Sequence, residues 1–135
     1  MNHMFCFQCQ QTAGCSGCIG NAGVCGKKSS TAQLQDQLTG ALIGLASTFD
    51  QVPATPETTK LILEGIFATI TNVNFDDDSI LVLIDRIHKQ KDMLLSNCQD
   101  CTSPCGRFED YDMNQIWEAN EDIRSLKSLI LFGLR

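Results

Sequence analysis

Eight cysteines in a chain of 135 residues constrain its fold more than any other feature. Five lie between Cys6 and Cys25 and three between Cys98 and Cys105, with 72 residues between the two groups. A secreted disulfide-bonded domain spreads its cysteines to join distant loops, whereas clustered thiols in a reducing compartment usually bind metal. Because no basic region followed by an apolar stretch opens the chain, we expect no export. The pattern predicts a cytoplasmic protein with metal-binding cysteines.

Composition narrows the class of protein further. Hydrophobic residues make up 43% of the chain and charged residues 19%, which is ordinary for a soluble globular domain and excludes a disordered chain. The formal charge of −6 offers no basic surface for nucleic acid phosphates. The longest apolar runs, 80–84 and 129–132, are too short to cross a bilayer. We therefore expect neither nucleic acid nor a membrane as a partner.

Outside the cysteine segments, apolar residues recur at helical spacing in four stretches. This periodicity predicts an all-α fold, a bundle of about four helices with an N-terminal Cys/Gly-rich loop and a second Cys-rich loop. The first helix starts at 29–31. The second starts at Pro56, with Thr55 as its N-cap, and continues to Val73. The third starts with the acidic residues of the segment 74–78, and the fourth runs from about Met113 to the end. The residues predicted to share one face of each helix are Leu34, Leu38, Ala41, Leu42, Leu45 and Phe49; Ile62, Ile66, Thr69 and Val73; Ile80, Leu83, Ile84, Ile87 and Leu94; and Ile116, Ala119, Ile123, Leu126, Ile130 and Leu134.

Three smaller features of the sequence also allow an interpretation. Gly40 and Gly44 lie four residues apart on the first helix, which allows a close approach of another backbone, although glycine is also tolerated in helices. The acidic run 76–78 suits the positive end of a helix dipole, and we favour this over a divalent cation site. His88 lies on a helix rich in charged residues, so we assign it no role.

The cysteine spacing itself indicates metal chemistry. Cys6 and Cys9, like Cys15 and Cys18, are separated by two residues, which lets two thiolates bind one metal or adjacent irons of a cluster. Zinc in a non-catalytic structural module fits this spacing. Iron–sulfur is favoured because the glycine-rich loop leaves backbone N–H groups free to donate to sulfides, and because the loop holds a fifth cysteine, Cys25, and no histidine.

The second cysteine group predicts a possible additional site. Cys98, Cys101 and Cys105 offer three close thiols but no fourth ligand. Cys15 or an outside ligand would have to complete such a site. The alternative is that these thiols are redox-sensitive or structural.

Six short segments, spread in order over nearly the whole chain, carry a more specific signal. They are Met4-Phe5-Cys6-Phe7-Gln8-Cys9-Gln10-Gln11-Thr12-Ala13, Gly17-Cys18, Gly23-Val24-Cys25-Gly26-Lys27, Leu34-Gln35-Asp36, Thr71-Asn72-Val73-Asn74-Phe75-Asp76 and Asn120-Glu121-Asp122-Ile123-Arg124-Ser125-Leu126. Together they resemble the N-terminal region of the hybrid cluster protein family, also called prismane proteins or hydroxylamine reductases. The loop from Cys98 to Cys105 is not part of the common signature of that family.

The resemblance implies a cluster and its ligands. It implies a 4Fe–4S cluster, or a 2Fe–2S cluster as in some members, held by Cys6, Cys9, Cys18 and Cys25. Cys18 matches because it follows Gly17, which makes Cys15 an extra thiol and the alternative ligand. Lys27 and Lys28 would then offset the negative charge of the cluster and raise its reduction potential, unless they are ordinary solvated surface lysines. The family's N-terminal domain is helical, in agreement with the periodicity.

The resemblance also implies a function and a domain organisation. Family members reduce hydroxylamine to ammonia, and nitric oxide, at a hybrid 4Fe–2S–2O cluster bound by residues much later in their chains. Those motifs are absent here, so we expect an electron-transfer domain without catalytic activity of its own, whose partners are an electron donor protein with a basic patch and the remaining domains of the enzyme. We expect residues 1–3 to be a cloning remnant, 4–28 the iron–sulfur loop and 29–135 the helical bundle, with the last two forming one domain of a longer enzyme.

Overall fold

The computed structural model describes residues 4–6, 8–9, 14, 16–70, 73–98 and 108–135. The segment 1–3, expected to be a cloning remnant, lies outside these ranges. A short antiparallel sheet and a set of helices account for the described part. In chain order the elements are β1 (Met4–Cys6), β2 (Cys18–Gly20), α1 (Ser29–Ala46) continued by a 3-10 turn (Ser47–Asp50), α2 (Pro56–Ala68), α3 (Asp77–Ser96), α4 (Asn114–Trp117) and α5 (Glu121–Leu134). The predicted all-α class is confirmed, and the sheet is the addition that periodicity did not indicate.

The core lies mainly between α1 and α3, with α2 packed against both. All five apolar residues predicted to face inward from α3 are buried, and Leu38 and Leu45 of α1 are fully so. Leu34 and Phe49 are partly buried at its edge. Each fully buried Leu or Ile side chain contributes roughly 1.5–3 kcal/mol relative to an exposed one, so this helix pair is the main source of stability.

The starts of α2 and α3 follow the signals in the sequence. Thr55 caps α2, its hydroxyl accepting a hydrogen bond from the Thr58 N–H at 3.1 Å, and Pro56 is the first helical residue. Asp76 caps α3 in the same way for the N–H of Asp78. Asp77 instead accepts hydrogen bonds from the hydroxyls of Ser30 and Thr31 at the start of α1, at 2.8 and 2.6 Å. The acidic run therefore caps one helix and ties it to another.

Helix α2 differs from the prediction in length and face. It ends at Ala68 and not at Val73. Its buried residues are Thr58, Leu61, Gly65 and Ala68, whereas Ile62 and Ile66 are only partly buried. The face is displaced because Gly65 packs on Leu42 of α1, and a Cβ at this glycine would lie 2.7 Å from a Leu42 methyl carbon.

A close backbone approach at Gly40 and Gly44 confirms the first of the two interpretations of these glycines. A Cβ at Gly40 would lie 2.2 Å from the carbonyl oxygen of Tyr111, and one at Gly44 would lie 2.9 Å from that of Glu109. The Tyr111 N–H donates a 3.1 Å hydrogen bond to the Gly40 carbonyl. Asp110, between them, pairs with His88 and Lys91 of α3 at 2.6 and 2.8 Å. The segment 109–111 thus lies directly on α1 and is bound to α3.

The predicted fourth helix is two separate helices. The apolar face predicted to be buried faces solvent along the second of them. The helix is interrupted after α4. Asn120 caps α5, because its side-chain oxygen accepts a hydrogen bond from the Asp122 N–H at 3.0 Å. Ile116 is buried as predicted, but Leu126 and Ile130 are 61% and 65% exposed. The polar side of α5 faces inward instead, with Ser128 buried. None of the helices in the described ranges combines the length and the hydropathy needed to cross a membrane.

Candidate metal centre

Pairing of β1 with β2 brings together two cysteines that are distant in sequence. Cys6 lies directly opposite Cys18 in the antiparallel register. Residues opposite one another on such a ladder present their side chains on the same face, with Cβ atoms about 4.5–5.5 Å apart. Neither cysteine forms a disulfide; Cys18 is buried and Cys6 half-buried. The sheet therefore sets two thiols side by side.

A tight turn places a third cysteine next to them. Ala22 and Lys28 form an antiparallel bridge, and inside it the Gly23 N–H donates to the Lys27 carbonyl at 2.8 Å. The Gly26 N–H donates to the Gly23 carbonyl at 2.9 Å, and Gly26 has the positive φ of +84° that this turn requires. Cys25 lies at the tip of the turn.

Gly23 separates the thiols of Cys18 and Cys25. The position that a Cβ would occupy at Gly23 lies 3.7 Å from the Cys18 sulfur and 3.6 Å from the Cys25 sulfur. Cys6, Cys18 and Cys25 therefore form a group of neighbours, here called the cysteine cluster. Among the cysteines, histidines and carboxylates that the structure describes, no three converge where a single metal ion could bind.

The remaining cysteines are placed only in part. Cys9 is half-buried in the segment after β1, next to Gln8. Cys98 follows α3 and is disulfide-bonded. Cys15, Cys101 and Cys105 lie outside the described residues. The possible second site on Cys98, Cys101 and Cys105 stays a prediction.

A buried lysine borders the cysteine cluster. Lys27 is 2% exposed, and its Nζ donates to the side-chain oxygen of Gln35 at 2.8 Å and of Gln8 at 3.4 Å. The same Nζ lies 4.0 Å from the Cys6 sulfur. Burial raises the pKa of the Cys6 thiol, while the Gln8 backbone N–H and the Lys27 charge oppose that rise. Lys28, by contrast, is exposed.

Aromatic contacts join β1 to the end of the chain. The Phe5 ring lies 5.8 Å from that of Trp117, and the Arg124 guanidinium lies over Phe5 at 5.3 Å. Trp117 donates its indole N–H to Asp36 at 2.9 Å. Burial raises the pKa of Asp36 to about 6, partly offset by the Trp117 hydrogen bond and by the charges of Arg135 and Lys27.

Sequence reasoning missed the parts played by Phe5, Gln35 and Asp36, although a signal for them existed. Each belongs to one of the six segments that carried the family resemblance, and residues from all six meet around Phe5 and Lys27. These contacts are Phe5 with Gly17 and Arg124, Lys27 with Gln35 and Phe75, and Gln35 with the Asn74 carbonyl. Short segments that match a family at separate places in the chain therefore converge here on one site.

Comparison with known protein families supports the same resemblance. Residues 4–135 match the family model described as Prismane/CO dehydrogenase family. The chain belongs to this family. The resemblance read from the six segments is thereby confirmed for nearly the entire chain.

Curated relatives in the prismane family are named hydroxylamine reductase. The proteins of that name from Methanococcus vannielii and Porphyromonas gingivalis (strain W83) are 37% and 38% identical to this chain over 98% of its length. The one from Maridesulfovibrio salexigens is 33% identical over 98%. The chain spans only 28% of the length of the first two relatives and 27% of the third.

Proposed function

We propose that this chain is the iron–sulfur electron-transfer part of a hydroxylamine reductase-like oxidoreductase. A 4Fe–4S cluster, held by Cys6, Cys9, Cys18 and Cys25, would exchange single electrons between a donor protein and a hybrid cluster in the rest of the enzyme. The observation that carries this proposal is that the small sheet and the turn after it place Cys18 next to both Cys6 and Cys25.

The donor set and its surroundings fit such a cluster. Thiolates are the usual protein ligands of iron–sulfur clusters, and all four candidate residues are cysteines without a disulfide. The three members of the cysteine cluster are at least half-buried, which limits access of water. The Gly23 position, without a side chain, leaves space between two of the sulfurs.

The partners follow from the same proposal. The chain covers little more than a quarter of its relatives' length, so the hybrid cluster and the nitrogen chemistry would reside in sequence beyond this part of the fold. The net charge of −6 favours a donor protein with a basic docking patch.

Metal and sulfide analysis tests the proposal. The chain is purified anaerobically, and iron, acid-labile sulfide and zinc are measured per polypeptide. We expect about four irons and four sulfides, as in a single cubane. The Cys18→Ser variant should lose most of both, whereas the Cys98→Ser variant, altered outside the cysteine cluster, should keep them.

Three outcomes would contradict this proposal in different ways. One zinc and no sulfide, persisting after anaerobic reconstitution with iron and sulfide, would make the chain a structural zinc module. About two irons and two sulfides per chain would indicate a 2Fe–2S cluster in place of the cubane. Full retention of iron and sulfide in the Cys18→Ser variant would show that the cysteine cluster is not the site.

A further inference from the structure

Lys27 lies in an environment that is unusual for a lysine. Its side chain is 2% exposed, although lysine is almost never fully buried unless it is paired. A lysine ammonium has three hydrogens to donate. Its three acceptors here are the side-chain oxygens of Gln35 and Gln8 and the sulfur of Cys6, at 2.8, 3.4 and 4.0 Å. Two of the three acceptors are therefore neutral amides.

Among the described residues, no carboxylate lies within ion-pair distance of this ammonium. Across the ranges that the structure describes, the ion pairs within 4.0 Å involve Arg86, His88, Lys89 and Lys91 but not Lys27. Asp36 interacts with Lys27 through space, but its carboxylate accepts its hydrogen bond from Trp117. A buried charge is costly unless a partner of opposite sign compensates it. The Cys6 sulfur, once a thiolate, would be that partner.

The ammonium is also held in position. Gln35, its nearest acceptor, is itself fixed because its amide nitrogen donates to the Asn74 carbonyl at 2.8 Å. The Phe75 ring lies 5.7 Å from the Lys27 nitrogen. Lys28, the next residue, is exposed and interacts with the turn through its backbone bridge to Ala22. Of two adjacent lysines, only one directs its charge at the cysteines.

We propose that Lys27 is a fixed counter-charge for the cysteine cluster, acting through Cys6, and that it raises the reduction potential of the iron–sulfur site. This inference rests on the proposed function. Four thiolates outweigh the positive charge of the iron–sulfide core, and reduction makes the site still more negative. The net charge of a cluster and the hydrogen bonds to its sulfurs set its potential. A buried cation beside one ligand favours the reduced state.

The test compares three variants of the anaerobically reconstituted chain by redox titration. Lys27→Met removes the buried charge, Lys28→Met removes the adjacent exposed charge, and Lys27→Arg keeps the charge. We expect Lys27→Met to shift the one-electron equilibrium at least tenfold toward the oxidised state, which equals about 59 mV. Lys28→Met should shift it less than about threefold, or roughly 28 mV, and Lys27→Arg should restore most of the wild-type potential.

Equal potentials in the Lys27→Met and Lys28→Met variants would overturn the role of Lys27 while leaving the proposed function intact. A wild-type chain that holds no iron or sulfide would remove the proposed function and this inference with it. If Lys27→Met folds by circular dichroism but does not load, iron and sulfide are compared in Lys27→Gln and Lys27→Arg. Loading of the arginine variant alone supports the counter-charge, and failure of both overturns it in favour of a purely steric role.

Discussion

The indole N–H of Trp117 donates a 2.9 Å hydrogen bond to the carboxylate of Asp36, which links α4 to α1 across 81 positions of sequence. Asp36 lies one residue after Gln35, the main acceptor of Lys27. Burial is the largest influence on this carboxyl group and raises its pKa from 3.8 to about 6. The hydrogen bond favours the charged form but does not compensate for the lost hydration. Stability of the chain should therefore depend on pH through Asp36.

The sign of this dependence follows from the direction of the shift. Between pH 4 and 6 the unfolded chain releases the Asp36 proton while the folded chain retains it, so the stabilisation present below the unfolded pKa is lost as pH rises through about 6. We expect the free energy of unfolding of the wild type, relative to Asp36→Asn, to fall by about 2 kcal/mol between pH 4 and 7. Urea titrations of both metal-free, reduced proteins measure it. If the difference in free energy of unfolding between the wild type and Asp36→Asn does not change with pH, the Asp36 carboxyl group is not buried.

The approach of Tyr111 to Gly40 predicts a large effect from one methyl group. The alanine Cβ in Gly40→Ala would lie 2.2 Å from the Tyr111 carbonyl oxygen, so the 109–111 segment must move off α1. We expect a loss of about 3 kcal/mol in the free energy of unfolding, at the upper end for overpacking. Gly133→Ala is the matched control: no atom of another described segment lies within 4 Å of its Cβ position in α5, and the variant should gain up to about 1 kcal/mol. Similar values for the two would refute the close approach.

The outward apolar face of α5 can be tested with polar substitutions. Leu129 is 67% exposed, so Leu129→Gln should change the free energy of unfolding by less than about 0.5 kcal/mol. Leu38 is fully buried in α1, and Leu38→Ala should cost about 2–5 kcal/mol. Chemical denaturation at low protein concentration provides both values. A cost for Leu129→Gln comparable to that of Leu38→Ala would mean that this side of the helix is packed inside.

Removing the Asp77 carboxylate should weaken the junction of α1 and α3. Its hydrogen bonds from Thr31 and Ser30 lower the pKa of Asp77, so its stabilising contribution is present above the unfolded pKa of 3.8 and lost as pH falls through the folded value. Asp77→Asn should cost about 1 kcal/mol at pH 7, since the hydrogen bonds are largely exposed to solvent. The cost should be smaller at pH 2 than at pH 7, because protonation of Asp77 removes the charge in both proteins. Denaturation curves of both proteins at pH 7 and pH 2 measure this cost. An equal cost at the two pH values would contradict the role of the Asp77 charge.

Much of the fold was accessible from local patterns. The apolar spacing of α3 identified every apolar residue of its buried face, although not Gln90 and Lys91, and Thr55 with Pro56 marked the start of α2. These signals suffice because a capped amphipathic helix is specified by residues within one or two turns. Gly40 was also informative, since a glycine within a regular helix carries a cost that a close approach explains.

The failures share a physical cause. Three-residue strands such as β1 are too short to show alternation, and their pairing depends on a partner twelve or more positions away. The amphipathic pattern of α5 located an apolar face but not its direction, because the inward side is chosen by Arg124 over Phe5 and by Lys127 beside Tyr111. The burial of Lys27 likewise comes from the tertiary positions of Gln35 and Phe75.

The turn that carries Cys25 is closed by two backbone hydrogen bonds, between Gly23 and Gly26 and between Gly23 and Lys27. The side chain of Val24, at its tip, is 62% exposed and contributes nothing to that closure. The closure of the turn therefore does not restrict which side chain stands at position 24. If family members prefer apolar residues at this position, another protein surface packs against the turn. If the residue varies freely, the turn is exposed to solvent.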